Sequence, residues 1–592
     1  MTLVGWVFFA LRYVFNLRWY HGLLVSVIFY CFALLLRVAQ KHKFSVRSFS
    51  KVDIFVYSLL FLLILTLVHC CTIRNGIYSA GTVYSDIPFH MSLITSFAYG
   101  TNSNGNMSTP FYAGAKLCYP FIPDYISTVL FQCGLSSLRV SIALPTMIMF
   151  ISLIIGLHRT FLHFSSNKMV INLAIMLFFF VSGGGWKYMA IHECLTNPNS
   201  NAVHQFCHDK STFWIHTVVH FLLPQRSALF STPIVLYTIQ FLLCFVESNF
   251  QDRSLVFFAG VLTSFVPMIS AHSFIAIGEY SIILCIITFP WLDNKKWYGI
   301  IVSWSLFALP ILIFGFPQAL YLLSGDRKTM MSFDPIWHET SENRTFEFFW
   351  MWYDSLGPFI IISIFGVWIT FNQKRQKLMY IPSLIIWIVS NFIRYQPGAM
   401  DNTKVYIVGW LPFASAAVAQ FYVVCIKSDY FQKYKTVKVL LLIILITSFL
   451  SSIVAIAKFV GIPFGLYNDI DKDAGMWIAE NTRNDRVFLS SEWHSNVAMS
   501  IGGRQIAIGF YGWIWTHGLD LNSRLAKVTY LASQSENITA FNEMNIDYLI
   551  LRPEDKSKNF NFPKPSLSSI WQCIYDMGSL EIYKIVEEKP IL

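Results

Sequence analysis

Tyr84-Ser85-Asp86-Ile87-Pro88-Phe89-His90 places an acidic side chain and a histidine four residues apart, directly after the second of a long series of apolar stretches. The pair therefore lies just outside a hydrophobic segment, at the surface of a membrane. Ionisable groups near a bilayer are costly and often functional. The segment thus predicts a polytopic membrane protein with a reaction centre on its outer face.

Composition supports this interpretation. Of the 592 residues, 55% are hydrophobic and only 13% are charged, about half the charged fraction of soluble domains, which is roughly 25%. This small number of polar groups cannot cover a water-facing surface of this size. Lipid must therefore solvate most of the chain. The net charge of +10 does not indicate nucleic-acid binding, because no nucleic-acid motif accompanies it and the basic residues cluster in short loops.

Apolar stretches of about 15 to 22 residues recur as far as residue 458 and predict about 12–13 transmembrane helices. A helix needs about 20 residues to cross the hydrocarbon core. Residues 3–20 contain Arg12 and Arg18 and form either a further span or an interfacial helix. We expect the other spans at 22–38, 53–71, 139–158, 170–184, 228–246, 255–270, 277–292, 298–315, 357–371, 379–393, 405–425 and 437–458.

Basic loops and glycosylation sequons predict the topology. Alternation through the spans places four basic loops on one side, which the positive-inside rule makes cytosolic; they are 37–51, 293–297, 372–378 and 427–438. Three acceptor sequons fall on the opposite side, at Asn106, Asn343 and Asn537.

The predicted outer side carries the large loops 72–138 and 185–227. Cys194 and Cys207 share the second loop and form either a disulfide in an oxidising lumen or a reduced pair. The eleven cysteines lack metal-ligand spacing, so a zinc site is not expected.

The chain divides into a transmembrane domain, 1–458, and a tail, 459–592, long enough for one small domain. Helical and strand-like segments alternate in the tail, which predicts an α/β domain on the outer face. The fold class expected is therefore an all-α polytopic membrane protein with a small C-terminal α/β domain. The tail segment Trp513–Gly518 is aromatic enough to stack on sugars, or else forms the core of that domain.

Asp86 and His90 are the first candidates for chemistry. A carboxylate at the membrane surface can deprotonate an acceptor hydroxyl or bind a divalent cation, and a histidine one helical turn further on shares its face. Alternatively Asp86 caps the following helix, a role compatible with catalysis. His272 is either functional or a hydrogen-bonded interfacial histidine.

Three cations lie at the predicted outer interface, against the positive-inside trend: Arg226, Arg394 and Lys404. Such groups bind a phosphate, or snorkel towards lipid headgroups. Asp401 is placed to pair with Lys404 at i, i+3.

Five short pieces, in order along the chain, resemble the C-type (GT-C) glycosyltransferase superfamily, and most closely a group of bacterial membrane proteins assigned to it. The superfamily comprises polytopic membrane enzymes with polyprenyl-phosphate sugar donors, among them protein O-mannosyltransferases, the aminoarabinose transferase of lipid A and the oligosaccharyltransferase catalytic subunit. The pieces are Ser85-Asp86 to His90, Pro224-Gln225-Arg226, Ala271-His272-Ser273-Phe274, Gln396-Pro397 to Lys404, and Gly509-Phe510-Tyr511-Gly512-Trp513 to Gly518.

The resemblance implies transfer of a sugar from a polyprenyl (dolichyl) phosphate to a glycan, protein or lipid acceptor. Asp86 would be the catalytic acidic residue, and the outer cations would bind the carrier phosphate. Some relatives carry a second acidic motif in the second outer loop, where this chain offers only Glu193 or Asp209. Dependence on Mg²⁺ or Mn²⁺ is therefore open. The sequons and cysteines fit the endoplasmic reticulum membrane, with the tail in the lumen.

Two other classes compete with an enzyme. A transporter or lipid flippase would show paired, interrupted spans in two related halves and ionisable groups at the bilayer midplane. The sequence shows no such halves, and its notable charges sit at span ends. A non-catalytic scaffold would tolerate the joint loss of Asp86, Arg226 and Lys404.

Overall fold

The computed structural model describes residues 1–39, 50–74, 78–80, 86–134, 137–183, 216–288, 297–325, 331–338, 346–370, 374–428, 433–461, 463–552, 560–565 and 570–586. Within these residues, six helices are long and apolar enough to cross a membrane, and two bent pairs raise that number to eight. The chain is therefore a helical multi-pass membrane protein, as predicted.

Each apolar stretch predicted from the sequence contains a helix. Among the described residues, four apolar helices are too short to count as full spans: Thr2–Phe15, His21–Cys31, Lys168–Phe180 and Arg253–Ser264. The helices of the bundle and its outer layer are α1 (Thr2–Phe15), α2 (His21–Ala39), α3 (Lys51–Thr72), α4 (Asp86–Ala98), α5 (Ile122–Gln132), α6 (Leu138–Phe164), α7 (Lys168–Phe180), α8 (Arg226–Glu247), α9 (Arg253–Ser264), α10 (Ala271–Thr288), α11 (Trp297–Pro310), α12 (Phe316–Leu323), α13 (Glu347–Leu356), α14 (Pro358–Thr370), α15 (Lys374–Phe392), α16 (Thr403–Gly409), α17 (Leu411–Lys427) and α18 (Lys435–Gly461).

Proline and glycine account for the two bent pairs. The α16–α17 pair turns by 60° at Trp410, where Pro412 cannot donate a backbone hydrogen bond to the preceding turn. The α13–α14 pair turns by 93° at Gly357, whose φ of +58° suits glycine and which precedes Pro358. The first bend separates the short helix that carries Lys404 from α17.

The helix that begins at Asp86 is enclosed by protein. Every residue of α4 from Ile87 to Ala98 is buried, and α5 packs beside it. Its hydroxyl side chains, Ser92, Thr95 and Ser96, donate to backbone carbonyl groups, so the helix can be buried without unpaired polar groups there. The first outer loop thus inserts α4 between the membrane bundle and the tail, and the half-buried Asp86 begins that helix.

The tail forms a five-stranded mixed sheet flanked by helices. Its strand order is β6 (Gln505–Ile506), β5 (Val487–Leu489), β7 (Tyr548–Leu551), β9 (Glu581–Ile585) and β8 (Trp571–Asp576). Strand β5 is parallel to β6 and β7, and the remaining pairs are antiparallel. Phe488, Leu549 and Ile582 fill the core. The elements of the tail are β4 (Pro463–Gly465), α19 (Asp469–Asn481), β5 (Val487–Leu489), α20 (Val497–Ser500), β6 (Gln505–Ile506), α21 (Tyr511–Thr516), α22 (Leu521–Ser533), α23 (Ile538–Asn542), β7 (Tyr548–Leu551), β8 (Trp571–Asp576) and β9 (Glu581–Ile585). Three further strands lie in the outer loops, β1 (Tyr78–Ala80), β2 (Ser332–Phe333) and β3 (Ile393–Arg394).

Backbone hydrogen bonds join the tail to the first outer loop. β1 pairs with β4, and Thr101 N donates to Gly503 O over 3.0 Å. Gly100 allows this approach, because a Cβ there would collide with the Gly503 carbonyl group. The two segments therefore lie together at one end of the helical bundle.

Candidate functional site

Asp86 occupies the first turn of α4. One carboxylate oxygen, Oδ1, accepts a 3.1 Å hydrogen bond from Nε2 of Gln225, the residue before α8. A helix N-terminus favours a negative charge. The carboxylate is thus fixed between the first outer loop and the bundle, and its partial exposure leaves it open to a ligand.

Burial raises the pKa of Asp86 to about 6, and Asp401 adds to that rise, whereas His90 and Lys404 oppose it. Charged groups from two parts of the chain, α4 and the segment that begins α16, therefore act on the Asp86 carboxylate. A carboxyl group with a raised pKa holds a proton more readily than an exposed aspartate, which suits a general base near neutral pH.

His90 is held on both sides. Its Nδ1 lies 3.0 Å from Asp124 Oδ2 and its Nε2 lies 3.0 Å from the carbonyl oxygen of Pro224. These two contacts, one on each ring nitrogen, fix the orientation of the imidazole. The ring is 2% exposed and orients α4 instead of facing a ligand.

Arg226 completes a buried network with the same aspartate. Its guanidinium forms an ion pair with Asp124 Oδ1, and its Nη2 donates to Ser127 Oγ over 2.7 Å. Arg226 and Asp124 are each 1% exposed. A buried charge needs a partner, and here one carboxylate serves both His90 and Arg226. The network ties α4, α5 and α8 together.

Asp124 was not singled out by the sequence. The sequence did offer one signal: Asp124 is an acidic residue in the first turn of α5, an otherwise mostly apolar helix. A carboxylate buried in such a helix needs a cationic partner. Gln225 was quoted only as part of a motif, because an uncharged amide gives no signal of its own.

Lys404, at the start of α16, lies near enough to Asp86 for its charge to act on that carboxylate. Its Nζ lies 2.7 Å from Asp401 Oδ1, the i, i+3 pair expected from the sequence, and 3.3 Å from Gln396 Oε1. His272, at the start of α10, lies close enough to be influenced by the Lys404 charge. Among the described residues the buried Nε2 of His272 has no hydrogen-bond partner, so Lys404 and His272 together offer donors to an anion.

Arg394 is engaged differently. Its guanidinium pairs with Asp334 over 2.7 Å and donates to the carbonyl oxygen of Pro397 over 3.1 Å. These contacts draw it towards β2 and the turn that precedes Asp401.

The aromatic segment of the tail covers the site. His517 stacks on Phe89, with ring centroids 5.6 Å apart, and Trp513 lies 5.4 Å from the same ring. Trp515 lies beside the turn that precedes Asp401. Its ring would be 3.5 Å from a Cβ atom added to Gly398 in that turn. Trp513 is largely buried, whereas Trp515 is exposed, so the segment serves partly as core and partly as the rim of the site.

Other sequence predictions fall elsewhere. Asn106 and Asn537 are exposed on the loop and the tail that pack together. Among the described residues, no three His, Cys, Asp or Glu side chains are grouped to hold a metal ion. Five predicted positions lie outside the described residues: Asn343, Glu193, Asp209, Cys194 and Cys207.

Neither a family model nor a curated protein matches the chain, whereas solved structures do. The oligosaccharyltransferase of Archaeoglobus fulgidus shares 11% identity at a TM-score of 0.52, over 84% of this chain and 69% of that one. The mycobacterial arabinofuranosyltransferase AftD shares 10% identity at a TM-score of 0.51, over 91% of this chain and 40% of that one. ArnT from Cupriavidus metallidurans shares 11% identity at a TM-score of 0.45, over 89% and 97%.

The fold is therefore that of the C-type membrane glycosyltransferases, as the sequence resemblance implied. At this level of identity the likeness establishes the architecture alone.

Proposed function

We propose that the protein is a membrane glycosyltransferase that transfers a sugar from a polyprenyl-phosphate donor to an acceptor on the outer face. The observation that carries the proposal is the cluster of Asp86, Lys404 and His272 at the outer end of a C-type fold. Two structural neighbours are glycosyltransferases by name, which supports glycosyl transfer in general.

Asp86 is the proposed base. An acceptor hydroxyl attacks the anomeric carbon of the donor sugar, and the bond from that carbon to the phosphate oxygen breaks. The hydroxyl proton passes to the Asp86 carboxylate, and the phosphate leaves with the bonding electrons. The hydrogen bond from Gln225 leaves the second carboxylate oxygen available for that proton.

Lys404 and His272 are the proposed phosphate ligands. The ammonium group of Lys404 offsets the charge that develops on the leaving phosphate. His272 supplies a hydrogen bond through its Nε2, which has no partner among the residues that the structure describes. The sequence hypothesis also assigned Arg226 and Arg394 to the phosphate. We now give Arg226 a positioning role, because Asp124 occupies its guanidinium, and Arg394 a place at the rim, because Asp334 holds it.

We further propose the endoplasmic reticulum membrane, a dolichyl phosphate carrier and a luminal tail. The exposed sequons at Asn106 and Asn537 support that compartment. A divalent cation, Mg²⁺ or Mn²⁺, would require ligands beyond the Asp86 cluster.

A transfer assay in nanodiscs tests the proposal. Purified protein is incubated with radiolabelled mannosyl, glucosyl and arabinosyl polyprenyl phosphates and mixed acceptors, with and without Mg²⁺. We expect turnover with one donor, lost in Asp86→Asn and retained in the exposed control Asp485→Asn. Absence of turnover with every donor in folded protein, or full activity of Asp86→Asn, would refute it.

A further inference from the structure

A glutamate lies inside one membrane span and is bound by a tyrosine from an outer segment. Glu279 is in the middle of α10, a helix long and apolar enough to cross a membrane, and its Oε1 accepts a 2.7 Å hydrogen bond from the hydroxyl group of Tyr395. Its Oε2 is buried and has no partner among the residues that the structure describes. A half-paired carboxyl group at this depth costs stability, and ionisable groups in spans are often functional. Neither residue takes part in the proposed transfer reaction, so the pair has another role.

Glu279 and His272 belong to the same helix. They are seven residues apart, or about two helical turns, so they share a face of α10 and lie about 10 Å apart along its axis. His272 is one of the two proposed phosphate ligands. Because the helix between them is continuous, whatever holds α10 at Glu279 also fixes the position of His272.

Tyr395 belongs to residues 393–404, which we call the Lys404 segment because it ends at the other proposed phosphate ligand. The backbone N–H group of Tyr395 donates to Asn402 Oδ1 over 3.1 Å. The amide nitrogen of Asn402 donates in turn to the backbone carbonyl groups of Ser390 and Ile393, over 2.7 and 2.6 Å. Asn402 is 0% exposed. These bonds fold the segment into one compact turn, so that Tyr395 and Lys404 move together.

Apolar packing brings α10 and α16 together. The two helices are in contact, and a Cβ atom added to Gly409 of α16 would lie 3.4 Å from the Cβ atom of Ala276 in α10. Apolar contact is non-directional, whereas a hydrogen bond requires a particular distance and angle. The bond between Tyr395 and Glu279 therefore selects one alignment of α10 with the Lys404 segment.

We propose that Tyr395 and Glu279 are positioning residues of the carrier-phosphate site, and that their hydrogen bond sets the separation between the two phosphate ligands. This inference rests on the proposed function. The pair acts through His272 and Lys404 and does not touch the phosphate. An anion held by groups on two elements binds more tightly when both elements already have the right spacing, because less ordering is left for the binding step. Loss of the bond should therefore weaken phosphate binding without removing a ligand.

Conservative substitutions test the proposal through the binding of polyprenyl phosphate to the protein in nanodiscs. Tyr395→Phe removes the hydroxyl group and keeps the ring, whereas Glu279→Gln keeps an oxygen that accepts the same bond. Tyr280→Phe is the control, because it removes a buried 2.9 Å hydrogen bond from α10 to the Met379 carbonyl group of α15. We expect the affinity to fall about tenfold in Tyr395→Phe and to stay within about twofold in the other two variants. No binding by the wild type, unchanged affinity in Tyr395→Phe, or an equal loss in either of the other variants would overturn the proposal.

Kinetics separate this proposal from the proposed function. In Tyr395→Phe the donor KM should rise about tenfold while kcat and the acceptor KM change less than about twofold. A fall in kcat as large as the rise in donor KM would contradict a role confined to the phosphate site. If binding of polyprenyl phosphate responds as expected but no donor gives turnover in the wild type, the transferase proposal fails and the positioning of a phosphate site stands. If the wild type turns over and the donor KM of Tyr395→Phe is unchanged, the positioning role fails and the transferase proposal stands.

Discussion

Gln225 and Asp86 are joined by a 3.1 Å hydrogen bond although 139 residues separate them in the chain. The amide nitrogen can only donate, so it fixes Oδ1 as an acceptor and adds no charge. Gln225 stands between Pro224, whose carbonyl group holds His90, and Arg226, which pairs with Asp124. The turn Pro224–Arg226 therefore both orients the Asp86 carboxylate and holds α4, the helix that carries it, in place.

The transfer rate should follow the ionisation of Asp86. The base acts only as a carboxylate, so kcat/KM should fall about tenfold per pH unit below about 6, the pKa that burial gives it. Above that value the rate should level off. A pH profile from 4.5 to 8 checks this, and a rate that rises as the pH falls would assign Asp86 to an acid role.

Asp86 should also lower stability at neutral pH. Its folded pKa is raised above the ordinary value of 3.8, so stability is greatest below about pH 4 and is lost as the pH rises through about 6. Asp86→Asn removes that cost, and we expect a higher apparent Tm at pH 7.5 but not at pH 4. A lower Tm of the variant at pH 7.5 would contradict the burial argument.

Gln225→Glu should move the pH profile. A second carboxylate beside Asp86 disfavours its ionisation, so the midpoint should rise above 6 and transfer at pH 6.5 should fall several-fold. Gln534→Glu, on the tail, makes the same change of charge away from the site and should leave the midpoint in place. An unchanged midpoint in Gln225→Glu would mean that the hydrogen bond is not formed in solution.

Asp124→Asn should be among the most damaging single changes. It leaves the buried Arg226 guanidinium without its carboxylate and changes the partner of His90, and removing one member of a buried ion pair typically costs about 3–5 kcal/mol. Asp485→Asn breaks an exposed pair with Arg483 and should cost less than about 1 kcal/mol. Monodispersity and apparent Tm in detergent measure both, and equal behaviour of the two variants would exclude a structural role for the buried network.

Lys404→Ala should weaken donor binding more than acceptor binding. Loss of the ammonium group should raise the donor KM at least tenfold, and Lys404→Arg should restore part of it because the charge returns. Arg394→Ala, whose charge is held by Asp334, is the comparison and should change the donor KM less. Donor titrations at saturating acceptor measure this. An unchanged donor KM in Lys404→Ala would remove Lys404 from the phosphate site.

Gly100→Ala should loosen the tail from the bundle. The new Cβ would collide with the Gly503 carbonyl group, whereas Gly278 in α10 has open space around the same atom. Limited proteolysis should release the tail faster in Gly100→Ala and not in Gly278→Ala. Equal resistance of both variants would show that this junction adapts.

The fold was predictable because membrane spans are strongly specified by apolar length. The candidate site was only partly predictable from the sequence. Asp86, His272 and Lys404 stand out because charge near lipid is rare, but His90 and Arg226 have the same signal and prove to be engaged by one buried carboxylate. The spacing of residues in the sequence does not show which charged groups become partners when they lie about 100 residues apart in the chain. The role of Asp124 depends on such distant packing, so it emerges only from the structure.

The contact between α4 and α20 has a consequence for biosynthesis. Thr95 and Ser500 are hydrogen-bonded at 3.3 Å but lie 405 residues apart in the chain. At about 5–20 residues per second, a ribosome needs roughly 20–80 s to make the surface that covers the Asp86 helix. For that interval the helix is exposed on the nascent protein, so chaperones can recognise it. An early stop codon in the tail would leave the membrane helices in place but the tail-facing side of α4 uncovered.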